Sequence, residues 1–270
     1  MVDVGGDAGA TRGPMAAGVQ LHELGGTART AWLSLRDALS TTLGDDLVAI
    51  WAHGGTTSAG TSPHHGDLDT YVILARRPDD ATAHRIAEAE KAIARDQGIE
   101  WDTWYVLADD SRGTEPPPHA LREGRRDTSW AINRAHWLAG RFVLIHGPEP
   151  AEIVVPPAWA ELEPELSREL EHIERHVAEG DTDPFEATYA LLNGSRILHA
   201  LETGSVAISK RAAGGWALER LPARWHDALR AAARAYDGQA TPNDAELLSV
   251  EMAPFVAFVR ALLPALEDHR

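Results

Sequence analysis

The sequence predicts an α/β (α+β) protein in two parts: a mixed α/β domain over residues 21–155, then an α-helical bundle over 156–270. Before Val155, short apolar and β-branched runs alternate with helical patterns. From Pro156 onward no strand pattern follows, and five segments carry apolar residues at helical spacing between Gly, Pro and Asp. Residues 1–20 are Gly/Ala-rich and are expected to be disordered.

Residues 27–43 predict the first helix, with Trp32, Leu35, Leu39 and Leu43 on one stripe. Strands are expected over 47–53 and 67–75. Asp79-Asp80 caps a helix running to Arg95, and Gly98 ends it. Residues 99–107 are aromatic and β-branched and predict a third strand. After the break at Pro116-Pro117-Pro118 come a helix over 128–139, a short strand over 142–145 and the turn His146-Gly147-Pro148. Helices are then expected over 162–177, 185–201, 209–220, 223–236 and 244–266.

Asp67-Leu68-Asp69 carries the chemistry. Side chains alternate faces along a strand, so Asp67 and Asp69 leave the same face, roughly 6–7 Å apart. Neighbouring carboxylates repel unless something positive lies between them. A divalent ion is the usual answer, and oxygen-only donors favour Mg²⁺. The simpler account is a hairpin with two exposed Asp near a turn, where Asp is common. The preceding apolar strand and the Gly54-Gly55 turn favour a site.

The net charge of −16 argues against a general nucleic-acid binder and is compatible with a cationic small molecule, although solubility alone explains most of it. Basic residues are nearly all Arg; Lys91 and Lys210 are the two lysines. With no Cys, disulfides and thiolate metal sites are excluded. No run approaches the roughly 20 apolar residues of a membrane span. The first residues lack the basic and apolar regions of a signal peptide. A cytoplasmic monomer is the expectation.

The strand, glycine turn and Asp-x-Asp strand resemble the nucleotidyltransferase superfamily. Asn193-Gly194-Ser195-Arg196-Ile197, Thr203-Gly204-Ser205, Ile208-Ser209-Lys210, the run from Gly215-Trp216 to Leu221-Pro222, and His146-Gly147-Pro148 narrow the resemblance. Over residues 49–238 the chain is similar to the aminoglycoside (3'')-adenylyltransferases of the streptomycin/spectinomycin type. The resemblance implies a nucleotidyltransferase domain with a mixed sheet and a helical bundle, clamping ATP and the drug between them. It implies transfer of AMP to a drug hydroxyl, with release of pyrophosphate.

Under that resemblance Asp67 and Asp69 are the Mg²⁺ ligands, able to bridge two ions, while Gly54, Gly55 and Thr56 cradle the nucleotide. Arg196 and Lys210 bind its phosphates. The base is a carboxylate of the third strand. Aligning that strand by its exit at Asp109-Asp110 favours Asp102; aligning it by Ile99-Glu100 favours Glu100. Asp102 is taken first and Glu100 is kept. Trp130 and Glu186 fall near drug-contacting positions, although with nine Trp in the chain helix packing is the simpler account of Trp130. His53 is read as structural, and Asp181 and Asp183 as helix caps. The chain departs from the family at Gly55, where relatives carry Ser. The backbone N–H there, or a hydroxyl of Thr56 or Thr57, must then serve the phosphate. Gly66 also replaces a frequent Ser, and His64-His65 lies in the loop between. Two alternatives remain: another small-molecule or protein acceptor, or a degenerate homologue that binds without turnover.

Overall fold

The computed structural model describes residues 18–24, 26–54, 67–180 and 183–267. The N-terminal part is built from β1 (Val19–Gln20), α1 (Gly26–Leu43), β2 (Leu47–Ala52), β3 (Asp67–Leu74), α2 (Asp80–Gln97), β4 (Glu100–Leu107), the short α3 (Ala108–Ser111), α4 (Trp130–Leu138) and β5 (Val143–His146). Five longer helices follow: α5 (Trp159–Ala178), α6 (Pro184–Thr203), α7 (Lys210–Arg220), α8 (His226–Tyr236) and α9 (Pro242–Glu267). Among the described residues no helix is long and apolar enough to cross a membrane.

The sheet runs β1-β5-β2-β3-β4. It is mixed, as the resemblance implies: β2 is antiparallel to β3 and β5, whereas β3/β4 and β1/β5 are parallel. Three details differ from the sequence reading. Gly18 to Gln20, read as part of a disordered N-terminus, join the fold. Val19 and Gln20 extend the sheet beside β5, and a side chain at Gly18 would meet the Phe142 ring at 2.5 Å. Residues 108–111 turn helically instead of simply leaving the strand. Residues 223–225 form a 3₁₀ turn before α8 begins.

Local signals act as read. Asp79 caps α2 by accepting from the Thr82 N–H at 2.8 Å, and Gly98 ends it at φ 64°. Asp183 caps α6 as read, whereas Ser209, read as the first helical residue, stands one position earlier as the cap of α7.

Period-two alternation gives the sheet two different faces. Leu68, Val72 and Leu74 pack under α1 and α2 with Trp32, Leu35, Leu39 and Ile86. The Trp32 indole donates to Thr70 Oγ1 at 3.0 Å, which satisfies a buried hydroxyl on that face. The opposite face carries Trp51, Tyr71, Ile73 and Val106 against Trp130 and Trp137 of α4. A third core surrounds α6, whose Gly194 lets Phe255 and Val259 of α9 approach: an added Cβ would lie 2.9 Å from the Phe255 ring.

Helix α4 ties the helical half to the sheet. Its N-cap, Ser129, supplies no side-chain bond. The exposed N–H groups of Ala131 and Ile132 are instead bound by the Glu165 carboxylate of α5, at 3.0 and 2.9 Å. This carboxylate caps a helix from another element and meets its positive end. Arg134, fully buried, pairs with Glu161 and donates to the Val155 carbonyl. Burial outweighs the two backbone bonds and pushes Glu165 up to about 7.

A raised carboxyl pKa means the native state binds its proton more tightly than the unfolded chain. The stabilisation is therefore complete below about pH 4.5 and lost as pH rises through 7. Glu165→Gln, which cannot titrate, should remove that decline. Chemical denaturation of both proteins from pH 4.5 to 8.5 should show the variant gaining on the wild type by up to about 3 kcal/mol. Parallel curves would contradict this role.

Candidate active site

The apolar rows of the Trp-lined face turn acidic at one end. Along β3 the row reads Ile73, Tyr71, Asp69, Asp67, and along β4 it reads Val106, Trp104, Asp102, Glu100. The parallel register sets Asp69 level with Asp102 and Asp67 level with Glu100. Adjacent strands lie about 4.8 Å apart, so Asp69 and Asp102 are near neighbours on one face. Asp102 and Glu100 are both exposed. Asp102 is the one whose charge is felt by His53 and Tyr71.

Gly54 closes on this row. Its φ is +79°, and an added Cβ would sit 1.8 Å from Asp69 Oδ2, so the carboxylate rests where any other residue would place a side chain. The His53 N–H donates to the Asp69 carbonyl at 3.0 Å, continuing the β2/β3 ladder to this point. Gly55, Thr56 and Thr57, with His64, His65 and Gly66, lie outside the described residues, as does Asp181. Asp67 enters by its strand position alone. Among the described residues no group of three His, Cys, Asp or Glu is arranged to hold a metal ion.

Behind the acids lies a polar network that local sequence did not mark. Tyr71 donates to Asp127 and accepts from Asn133 Nδ2 at 2.8 Å. Asp127 also accepts from the Ser129 N–H at 2.9 Å. Burial raises the Asp127 pKa against these bonds, and burial beside Asp127 pushes the Tyr71 phenol well up. The His53 ring packs 5.0 Å from Tyr71 and 6.1 Å from Trp137. Burial lowers its pKa to about 4 despite Asp127 and Asp102, so the ring is neutral at pH 7. The one local hint was Asp127-Thr128-Ser129, an Asx-type turn before a helix.

The cations come from the helical half. Lys210 opens α7, with its Nζ 4.6 Å from the centre of the Tyr189 ring. Burial and then Arg196 lower its pKa, while Glu169, Asp69 and Glu186 pull it up. Asp69 therefore lies within electrostatic reach of Lys210. Arg196 is no surface helix residue: burial lowers its pKa, and it donates to Asn193 Oδ1 at 3.1 Å and to His136 Nε2 at 2.8 Å. Arg141 and Tyr236, unmarked by the sequence, share this electrostatic neighbourhood. Glu186, half-buried in the first turn of α6, lies 3.8 Å from His176 Nδ1.

Trp130 takes the helix-packing place that is its simpler account. It is fully buried, its indole donates to the Gly113 carbonyl at 3.2 Å, and it packs near Tyr71 and Trp137. The Arg134 guanidinium lies over its ring, 5.6 Å from the centre.

Residues 165–261 match the family described as aminoglycoside adenylyltransferase, C-terminal domain. The match lies within the C-terminal helices α5 to α9. The fold as a whole is that of a spectinomycin adenyltransferase, AAD(9) from Enterococcus faecialis, solved with ATP and spectinomycin. That match has a TM-score of 0.64 at 15% identity and covers 84% of this chain and 98% of that one. No curated protein sequence matches the chain. The adenylyltransferase resemblance read from the residues is borne out.

Gly54→Ala should lower stability by on the order of 2 kcal/mol, through left-handed backbone strain and the Asp69 clash. Adding Asp69→Ala should recover the clash and leave the strain. Strictly additive melting shifts in this double-mutant cycle would contradict the contact.

Proposed function

We propose that this adenylyltransferase-family protein transfers AMP from ATP to a hydroxyl of an aminoglycoside or aminocyclitol of the streptomycin or spectinomycin type and releases pyrophosphate. The observation that carries the reading is the pairing of Asp69 with Asp102 on the sheet, with Lys210 of the helical half feeling the charges of both Asp69 and Arg196. The AAD(9) structure, whose fold this chain shares, holds ATP and spectinomycin, which supports that pair of substrates. We take the two domains, divided near Val155, to close on them from opposite sides.

The donor set fits Mg²⁺. Asp67 and Asp69 are hard oxygen ligands, and Gly54, lacking a side chain, lets the Asp69 carboxylate sit against the turn. Bound there, Mg²⁺ would supply charge neutralisation and alignment of the phosphates. The remaining work falls to the protein. Gly54, with Gly55 and Thr56, would cradle the phosphates through backbone N–H groups and a hydroxyl. Asp102 accepts the proton of the acceptor hydroxyl as its oxygen bonds to the α-phosphorus. The bond from that phosphorus to the bridging oxygen breaks, and pyrophosphate leaves with the electron pair. Lys210 and Arg196 meet the charge that gathers on it. Asp102 is preferred to Glu100 because it is level with Asp69 and its charge reaches into the Tyr71–His53 wall.

Glu186, with Glu169 nearby, gives the helical side an acidic wall for a cationic acceptor. One observation favours a second reading, the same chemistry on a different acceptor: with Trp130 buried, an aromatic wall for the drug is missing at that position.

Pyrophosphate release from Mg-ATP should depend on streptomycin or spectinomycin. Asp102→Asn should lower it by about 10²–10⁴-fold, the usual worth of a general base, and Glu100→Gln far less. The reverse ranking would move the base to Glu100. Release with neither drug, while Mg-ATP still binds, would support the second reading.

A further inference from the structure

We propose that His136 is a positioning residue for Arg196, holding its guanidinium toward the nucleotide phosphates while leaving its charge unneutralised. The inference rests on the adenylyl-transfer reading above and deepens it. Arg196 Nη2 lies 2.8 Å from His136 Nε2. A guanidinium can only donate, so Nε2 is the accepting nitrogen and the ring proton sits on Nδ1. The other arm, Nη1, donates to Asn193 Oδ1 at 3.1 Å, one turn back on α6. Two bonds to a planar fork fix both its plane and its direction. One hydrogen on each terminal nitrogen is left over. Nε is buried with no hydrogen-bond partner among the described residues. The guanidinium therefore keeps donors in hand at the point where it neighbours Lys210.

The chemistry of the acceptor is the informative part. Buried arginines are most often held by carboxylates, which cancel their charge. Here both acceptors are neutral, an imidazole nitrogen and an amide oxygen. Burial and the neighbouring Arg196 and Arg141 keep His136 unprotonated. Glu169 influences Arg196 electrostatically, but its own hydrogen bond is taken from the Tyr189 hydroxyl at 2.8 Å. Arg196 is thus oriented without being neutralised, as a site that must receive a polyphosphate requires. His136 stands on α4, which packs on the sheet, and Arg196 on α6. The bond therefore also sets the cation relative to Asp69 and Asp102.

Three substitutions at one position separate orientation from packing. His136→Gln can present an amide oxygen, His136→Phe fills the space without an acceptor, and His136→Glu restores an acceptor that neutralises Arg196. His136→Gln should keep the KM for ATP within about threefold. His136→Phe and His136→Glu should each raise it about tenfold, the worth of a hydrogen bond to a charged group, with the acceptor KM unmoved. In an Arg196→Ala background, His136→Phe should add nothing. Unchanged ATP KM in all three variants, a loss confined to kcat that follows thermal stability, or a full further loss in the Arg196→Ala background would overturn the role. If His136→Phe does not fold, equal ATP KM for the Gln and Glu variants overturns it. A wild type that neither binds Mg-ATP nor releases pyrophosphate with either drug would sink the adenylyl-transfer reading and this role together. A wild type that turns over, with these variants unaffected, sinks this role alone.

Discussion

The parallel pairing of β3 with β4, in the register that sets Asp69 beside Asp102, is the constraint on which the rest of the site depends. Like charges opposite one another in a sheet destabilise it by a few tenths to about 1 kcal/mol per pair. The strands tolerate this because the same rows continue inward as Tyr71, Ile73, Trp104 and Val106, apart from Trp104 a fully packed apolar surface. One strand therefore does two jobs along its length. Its inner half supplies core, and its outer half presents carboxylates to solvent and ligand.

That boundary between core and site is sealed by neutral polar groups. His53 is held unprotonated by burial, and Tyr71 donates to a buried Asp127 that Asn133 and Ser129 help to satisfy. Fully bonded buried networks of this kind rigidify their surroundings, whereas a half-satisfied one would cost more than an apolar core. Across from this wall, the helical half is fastened through α4 by Glu165 and Arg134 and contributes Lys210 and Arg196. Anionic and cationic sides thus come from different halves of the chain, an arrangement suited to a bound polyphosphate.

Much of this was legible in the sequence where local rules suffice. The Asp67/Asp69 spacing, the Asp79 and Asp183 caps and the Gly98 stop follow from period, hydrogen-bonding side chains and left-handed backbone. What escaped depends on long-range contacts. Asp102 and Glu100 share a face, so spacing could not rank them; the register with β3 sets Asp102 level with Asp69 and Glu100 level with Asp67. Tyr71 meets Asp127 and His136 meets Arg196 across 56 and 60 residues, distances over which no periodicity speaks. Trp130 shows the converse. Its position near a ligand-contacting residue of relatives said nothing about which way its helix would turn it, and it faces the core.

The central claim is that both halves build one nucleotide site, and calorimetric titration with Mg-ATP tests it most directly. The wild type should bind. Asp69→Asn, on the sheet, and Lys210→Met, on the helices, should each weaken binding by at least about tenfold while melting near the wild-type temperature. Lys210→Met binding Mg-ATP as tightly as the wild type would contradict the account, because the helical half would then have no part in holding the nucleotide.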